Sequence, residues 1–149
     1  NNGSYCPPTL LKKDAEEAGC NPIGLRDETV NLITEGMTQA CSTGGTAWPL
    51  FNFSVNTATS SASTRVFQDD GKNFKALEKG TSITLACKTG TAETGSPEGN
   101  THAWVTGFAP VEDPEIVVTV LIEEGGEGSS IAGPVVKEIL AEWFSRERN

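Results

Sequence analysis

The amino-acid sequence predicts an α+β fold, in which an antiparallel sheet carries helices on both of its faces. Three observations lead to this prediction. Two stretches have the apolar spacing of helices, one from Asp27 and one from Ser129. Three strand-like stretches lie between residues 82 and 123. The connections between those strands are short, which is typical of an antiparallel meander.

The first helix is predicted to begin at Asp27, after a loop over residues 1–24 that glycine and proline punctuate. Asp27 and Glu28 lie where the positive end of the helix dipole favours acidic side chains. Apolar side chains then recur at helical spacing: Val30, Ile33 and Met37. The Gly44-Gly45 pair is expected to end this segment.

Residues 54–80 are predicted to be a loop insertion. Seven of the eleven residues from Ser54 to Thr64 are serine or threonine, and the stretch has no apolar period. Asp69, Asp70 and Gly71 then predict a turn. This part of the chain is expected to be exposed.

Three strands are predicted in the second half of the chain. The first, residues 82–93, alternates, with Ile83 and Leu85 on one face. The second is predicted over residues 101–109 and ends at a proline. The third, residues 115–123, has a nearly continuous apolar run, which predicts burial on both faces.

The final helix is predicted to follow a glycine-rich loop, with Ser129 or Ser130 as its cap and Pro134 in its first turn. Its apolar side chains form one stripe that must pack on the sheet: Ala132, Val135, Val136, Ile139, Leu140, Trp143 and Phe144. Trp104 and Phe108 of the second strand are also expected in the core.

Charge and hydropathy exclude two classes of function. The chain has 20 acidic and 11 basic residues, a formal net charge of -9. No nucleic-acid partner is expected, because no basic surface could neutralise several phosphates. The longest apolar run, residues 116–122, is far shorter than the roughly 20 residues of a membrane span. Met37 is the only methionine, so we expect a piece of a longer protein or a processed product.

Four cysteines are present, and no pair of them has the C-x-x-C spacing: Cys6, Cys20, Cys41 and Cys87. With a single histidine in the chain, no metal site is expected. The cysteines are equally compatible with free thiols and with two disulfides in any of three pairings, which would suit an oxidising compartment. One hypothesis pairs Cys6 with Cys20, closing a loop rich in proline and glycine, and Cys41 with Cys87, tying the first helix to the first strand.

The candidate site is the stretch Lys88-Thr89-Gly90-Thr91-Ala92-Glu93, near the end of the first strand. A Lys-Thr-Gly tripeptide alone is a weak signal. Here Gly44–Ala47 precedes it, His102–Pro110 follows it, and Ala132–Val136 opens the last helix. In this order the segments resemble the C-terminal part of the transpeptidase domain of penicillin-binding proteins, over nearly all of residues 1–149. The resemblance is strongest to the class B enzymes of cell elongation or division.

The resemblance implies the fold of penicillin-binding proteins and serine β-lactamases. It also implies a peptidoglycan D,D-transpeptidase that cross-links stem peptides by serine acyl transfer and binds β-lactams without a cofactor or a metal. Such an enzyme would lie at the extracytoplasmic face of the cytoplasmic membrane, with its anchor outside this chain. A β-lactam sensor domain, a serine β-lactamase and an inert structural fragment remain as alternatives.

The resemblance assigns Lys88, Thr89, Gly90 and Thr91 to substrate binding, with the backbone N–H of Thr91 in the oxyanion hole. The residue types suit this role, because an ammonium and hydroxyls bind a carboxylate and glycine lets a ligand approach the backbone. A strand edge also lets a peptide add as a further strand. Strict alternation places Lys88 and Gly90 on one face and the threonines on the other. Contact with one ligand would therefore need edge geometry or a local distortion.

Two departures from the family pattern matter. No serine is followed by lysine three positions on, so the nucleophile and its base must lie in an upstream half, and the chain alone is predicted to be inactive. Ser54-Val55-Asn56 matches the family's Ser-x-Asn pattern in the wrong place, and we interpret it as a chance match. His102 is expected to make a structural hydrogen bond rather than to act in catalysis. The carboxylates, including Glu93 and Glu98, are expected to be solvated.

Overall fold

A computed structural model describes residues 3–11, 16–55, 81–95 and 99–145 of the chain. The elements in chain order are β1 (Ser4–Tyr5), β2 (Asn21–Pro22), α1 (Asp27–Ala40), a 3-10 turn (Trp48–Leu50), β3 (Ser54–Val55), β4 (Thr81–Ser82), β5 (Ala86–Glu93), β6 (Thr101–Ala109), β7 (Ile116–Ile122) and α2 (Gly128–Ser145). The predicted α+β class and antiparallel sheet are confirmed. Neither helix in this part of the chain is long and apolar enough to cross a membrane.

The main sheet has the strand order β5-β6-β7, and both pairings are antiparallel. Val105 of β6 lies opposite Thr89 of β5 and Val120 of β7, so these three side chains share one face. We call this the Val105 face. The register of β5 against β6 is unbroken along the whole length of β5, without a bulge.

The core lies on the Val105 face, where α2 packs against β6 and β7. Ala132, Val136 and Leu140 of α2 are fully buried there. On this face the sheet contributes six buried side chains: Cys87, Ala103, Val105, Ala109, Val118 and Val120. Gly133 lets α2 approach the 3-10 turn, because a Cβ at this position would lie 3.0 Å from Pro49 Cγ. Helix α2 is therefore the element that covers the Val105 face of the sheet.

Helix α1 begins where the sequence predicts, at Asp27, but it contributes no fully buried side chain in the described structure. Helix α2 begins one residue before Ser129, so the prediction that a serine caps it is wrong. The reason is that Glu127 accepts hydrogen bonds from the hydroxyls of Ser129 and Ser130, which therefore lie in the first turn. Pro134 consequently falls in the second turn instead of the first.

The predicted strand over residues 82–93 is two strands, because the chain leaves the extended ladder between β4 and β5. The Thr84 hydroxyl there donates to Glu112 and accepts the N–H of Val111 at 3.0 Å. Strand β4 pairs instead with β3, where Ser54 lies opposite Ser82. Ser54 thus belongs to a short strand, while residues 56–80 of the predicted insertion lie outside the described residues.

The prediction that β7 is buried on both faces is wrong within the described structure. Val117 and Leu121 are 71% and 41% exposed, although Val118 and Val120 on the other face are buried. Trp104 of β6, predicted for the core, is 38% exposed on the same outer face as Leu121, which lies opposite it. The α2 stripe is split in the same way: Val135, Ile139 and Trp143 remain about 40% exposed.

All four cysteines are paired in the structure, in the arrangement that the sequence hypothesis names. Cys6 and Cys20, with Cα atoms 4.1 Å apart, join the residues around the β1–β2 pair. Cys41 and Cys87, with Cα atoms 5.8 Å apart, join the end of α1 to β5. The second disulfide places the residues that follow α1 beside the candidate site.

Candidate functional site

The predicted site residues lie on β5, which hydrogen-bonds only to β6 among the strands that the structure describes. Strand β5 is therefore an edge strand here, and its second row of backbone groups makes no hydrogen bond to another strand of the described structure. Because the register is unbroken from Ala86 to Glu93, no local distortion turns Lys88 and Thr89 to the same face. One ligand could therefore contact both Lys88 and Thr89 only at the edge of β5.

Lys88 is exposed, and its ammonium donates to the backbone carbonyl of Thr89. Within the described residues the structure gives Lys88 no carboxylate partner. The positive charge is thus held close to its own strand, and no acid among the described residues neutralises it. An ammonium in this state can accept an anionic ligand at the strand edge by exchanging one hydrogen bond.

Thr89 is half-buried, and its hydroxyl donates to the hydroxyl oxygen of Thr46 at 3.0 Å. Thr46 belongs to the Gly-Gly-Thr-Ala segment that follows α1, 43 residues away in the chain. The structure therefore brings together two of the segments on which the family resemblance rests. Sequence reasoning noted Thr46 as a landmark and assigned it no role, since no local pattern shows that it contacts Thr89.

The segment that carries Thr46 forms a tight turn, which backbone hydrogen bonds hold to the end of α1. The N–H of Ala47 donates to the carbonyl of Ala40 at 2.9 Å, and the N–H of Gly45 donates to that of Ser42 at 2.8 Å. A side chain at Gly45 would collide with the carbonyl oxygens of Gln39 and Ala40. Glycine at this position is therefore required for the close turn that presents Thr46.

Gly90 and Gly128 allow β5, β6 and α2 to meet closely. A Cβ at Gly90 would lie 3.3 Å from the Cβ of Trp104, and one at Gly128 would collide with the carbonyl oxygens of Gly90 and Trp104. The Gly128 N–H also donates to the Thr91 hydroxyl at 3.3 Å. The start of α2 thus rests on the backbone of the candidate site and engages the side chain of Thr91.

His102 makes the structural hydrogen bond expected of it, since its Nδ1 accepts the N–H of Glu124 at 3.0 Å. Glu93 is exposed, and Glu98 lies outside the described residues. Hydrogen bonds from Ser129 and then Ser130 lower the pKa of the Glu127 carboxyl below its ordinary value of 4.5. Neither Glu93 nor Glu127 forms an ion pair with Lys88 in the described structure.

The described residues hold no cluster of three or more histidine, cysteine, aspartate or glutamate side chains that could bind a metal ion. Of the Ser-x-Asn triplet, Ser54 pairs through β3 with Ser82, and Asn56 lies outside the described residues. The groups that the structure does assemble around the candidate site are an ammonium, two threonine hydroxyls in contact and an unpaired strand edge. This set suits recognition of an extended, anionic ligand.

Comparison with known families gives a match over nearly the whole chain. The model of the penicillin binding protein transpeptidase domain matches residues 1–141. Over 66 residues the chain is 42% identical to the peptidoglycan D,D-transpeptidase PbpA of Mycolicibacterium smegmatis, covering 40% of this chain and 13% of that relative. Over 39 residues it is 46% identical to the peptidoglycan D,D-transpeptidase MrdA of Haemophilus influenzae, covering 26% of this chain and 6% of that relative.

Two solved structures share the fold over most of the chain. The penicillin-binding protein PBP2 of Pseudomonas aeruginosa, solved in complex with WCK 5153, is 26% identical with a TM-score of 0.58, covering 95% of this chain and 24% of that protein. PBP2 of Helicobacter pylori, solved in complex with MreC, is 25% identical with a TM-score of 0.55, covering 84% of this chain and 19% of that protein. The chain thus spans less than a quarter of the length of either solved relative.

Proposed function

Because this chain belongs to the penicillin-binding protein transpeptidase family, we propose that it forms the C-terminal part of the catalytic domain of a serine-type peptidoglycan D,D-transpeptidase. The observation that carries this proposal is the Lys88–Thr91 motif at the edge of β5, with an ammonium that no carboxylate neutralises in the described structure. The relatives named above support the reaction type. Residues 1–149 then act as one part of the domain, with an insertion in the chain between β3 and β4.

Lys88 and Thr89 would bind the terminal carboxylate of a stem peptide, or the equivalent carboxylate of a β-lactam. The Lys88 ammonium supplies the charge, and a hydroxyl of the Thr89–Thr46 pair supplies a directional donor. Lys88 projects from one face of β5 and Thr89 from the other, so the ligand would meet both at the edge, where the two faces converge.

Thr91 and the open edge of β5 would place the reacting carbonyl. A stem peptide that adds as a strand is held in register by main-chain hydrogen bonds. The backbone N–H of Thr91 would then donate to the oxyanion of the tetrahedral intermediate, where charge develops only during the reaction. The Thr91 hydroxyl accepts the N–H of Gly128 at the start of α2 and keeps its own proton to donate.

The serine nucleophile and its lysine base would come from an upstream half of the same domain, which is the main partner of this chain. The chain alone would be inactive, since it contains no Ser-x-x-Lys sequence. The complete enzyme would act at the extracytoplasmic face of the cytoplasmic membrane, where stem peptides are cross-linked, with its anchor outside this chain. Two disulfides are compatible with such an oxidising location.

Covalent labelling with a fluorescent penicillin tests the proposal. The isolated chain should form no adduct by intact-mass spectrometry, and the longer protein that adds the upstream half should form one adduct per molecule. A stoichiometric adduct on a serine of the isolated chain would refute the assignment of the nucleophile. An adduct on the longer protein that hydrolyses within minutes would instead favour the β-lactamase alternative.

A further inference from the structure

Two independent ties join the segment after α1 to β5. One is covalent, the disulfide between Cys41 and Cys87, both of which are nearly or fully buried. The other is the hydrogen bond from Thr89 to Thr46. Cys87 and Thr89 are two residues apart in a regular strand, so they project to the same side of β5. The ties therefore act side by side on one short stretch of the strand.

The hydroxyl pair leaves one proton for a ligand. Two hydroxyls in contact share a single hydrogen bond, so one of the two O–H groups remains free to donate. In the structure Thr89 donates to Thr46, and both side chains reach the surface: Thr89 is half-buried and Thr46 is exposed. When Thr89 donates its proton to a ligand carboxylate, the hydrogen bond between the two hydroxyls reverses, and Thr46 donates to the Thr89 oxygen. Without Thr46, the Thr89 hydroxyl would rotate among several acceptors, including solvent. Thr46 thus fixes the direction of the donor that faces the strand edge.

We propose that Thr46 is a positioning residue for carboxylate recognition, and that the Cys41–Cys87 disulfide holds Thr46 in place. This inference rests on the proposed function, because it concerns the same site. The hydrogen-bonded turn around Gly45 supports this inference. Because the turn is held by backbone hydrogen bonds, fixing Cys41 on β5 also fixes the position of Thr46. A positioning role of this kind predicts that Thr46 matters only for ligands that carry a carboxylate, and only while Thr89 keeps its hydroxyl.

The test uses the longer protein that contains this chain and measures the second-order rate of acylation by benzylpenicillin and by its methyl ester. Thr46→Val keeps the shape and removes the hydroxyl, and it should lower the rate with benzylpenicillin about 3- to 10-fold. Thr46→Ser should restore most of the rate. With the methyl ester, the unmodified protein and Thr46→Val should differ by less than about 2-fold, because the ester has no carboxylate to bind.

A double-mutant cycle separates positioning from a general structural effect. In a Thr89→Val background, Thr46→Val should cause no further loss of rate, and the Tm of Thr46→Val should match that of the unmodified protein. An equal loss with benzylpenicillin and with the ester, or a full loss in the Thr89→Val background, would overturn the role of Thr46. An unmodified protein that no penicillin acylates would overturn the proposed function itself.

The disulfide has a matched control in the same chain. Replacing Cys41 and Cys87 together by serine should lower the benzylpenicillin rate at least as much as Thr46→Val does. Replacing Cys6 and Cys20 in the same way removes a disulfide that lies at the β1–β2 pair, away from β5, and should leave the rate unchanged. Equal losses from the two replacements, or none from either, would overturn the role assigned to the Cys41–Cys87 disulfide.

Discussion

Lys88→Ala removes the positive charge at the edge of β5 and should leave the stability of the fold unchanged. The side chain is exposed, and it lies opposite the outer-face residue Thr106, so its removal leaves no cavity in the core. In a partly desolvated cleft, a charge-assisted contact with a ligand carboxylate contributes about 3–4 kcal/mol to transition-state stabilisation. Lys88 already donates to the Thr89 carbonyl, and exchanging that bond costs about 1 kcal/mol. The net loss is therefore about 2–3 kcal/mol, or roughly 30- to 150-fold in rate.

The assay is the second-order rate of acylation by a fluorescent penicillin, measured on the longer protein together with its Tm. Arg26→Ala is the matched control, because it removes one positive charge at the start of α1, where Arg26 pairs with Glu28 at 4.0 Å. Lys88→Arg should recover only part of the rate, since a planar guanidinium does not occupy the compact position of an ammonium. A Lys88→Ala rate within about 2-fold of the Arg26→Ala rate would refute the assignment of Lys88, provided that the Tm values agree.

Two further predictions concern how the site is held. Gly128→Ala should destabilise the protein by about 1–3 kcal/mol in urea unfolding, because the new Cβ collides with the carbonyl oxygens of Gly90 and Trp104. Gly36→Ala in α1, which has nothing within 4 Å, should stabilise it by about 0.5–1 kcal/mol instead, and equal effects would contradict this packing. Titration of the denatured, unreduced chain should find no free thiol, whereas two or four would contradict the pairing of Cys6, Cys20, Cys41 and Cys87.

Local sequence patterns predicted the bounds of an element correctly where its apolar residues had a regular spacing and the residues at its ends were typical of a start or a stop. Strand β6 has the predicted bounds because its buried and exposed side chains alternate and Pro110 ends it. Helix α1 begins as predicted, with two acids in its first turn. The break before β5 and the early start of α2 were missed for one reason. Each depends on a side-chain hydrogen bond, from Thr84 to Glu112 and from Ser129 to Glu127.

Burial was predicted less well than secondary structure, because a pattern identifies apolar residues and does not say what covers them. Trp104 and Leu121 are neighbours on the outer face of the sheet and stay over a third exposed in the described structure. The Lys-Thr-Gly motif was found because it is local. Thr46 was not assigned, because its contact with Thr89 spans 43 residues and depends on the turn after α1.

The candidate site is supported from three directions by residues of this chain. The ladder with β6 fixes the backbone of β5, Gly128 of α2 rests on Gly90, and the segment after α1 holds Thr89 through Thr46. What these supports leave accessible is the unpaired edge of β5 and the Lys88 ammonium, the two features that a carboxylate-bearing strand requires. Groups held in this way lose little conformational freedom when a ligand binds, so more of the interaction energy is available for recognition. A small shift of any support should therefore reduce the acylation rate more than it reduces the stability of the fold.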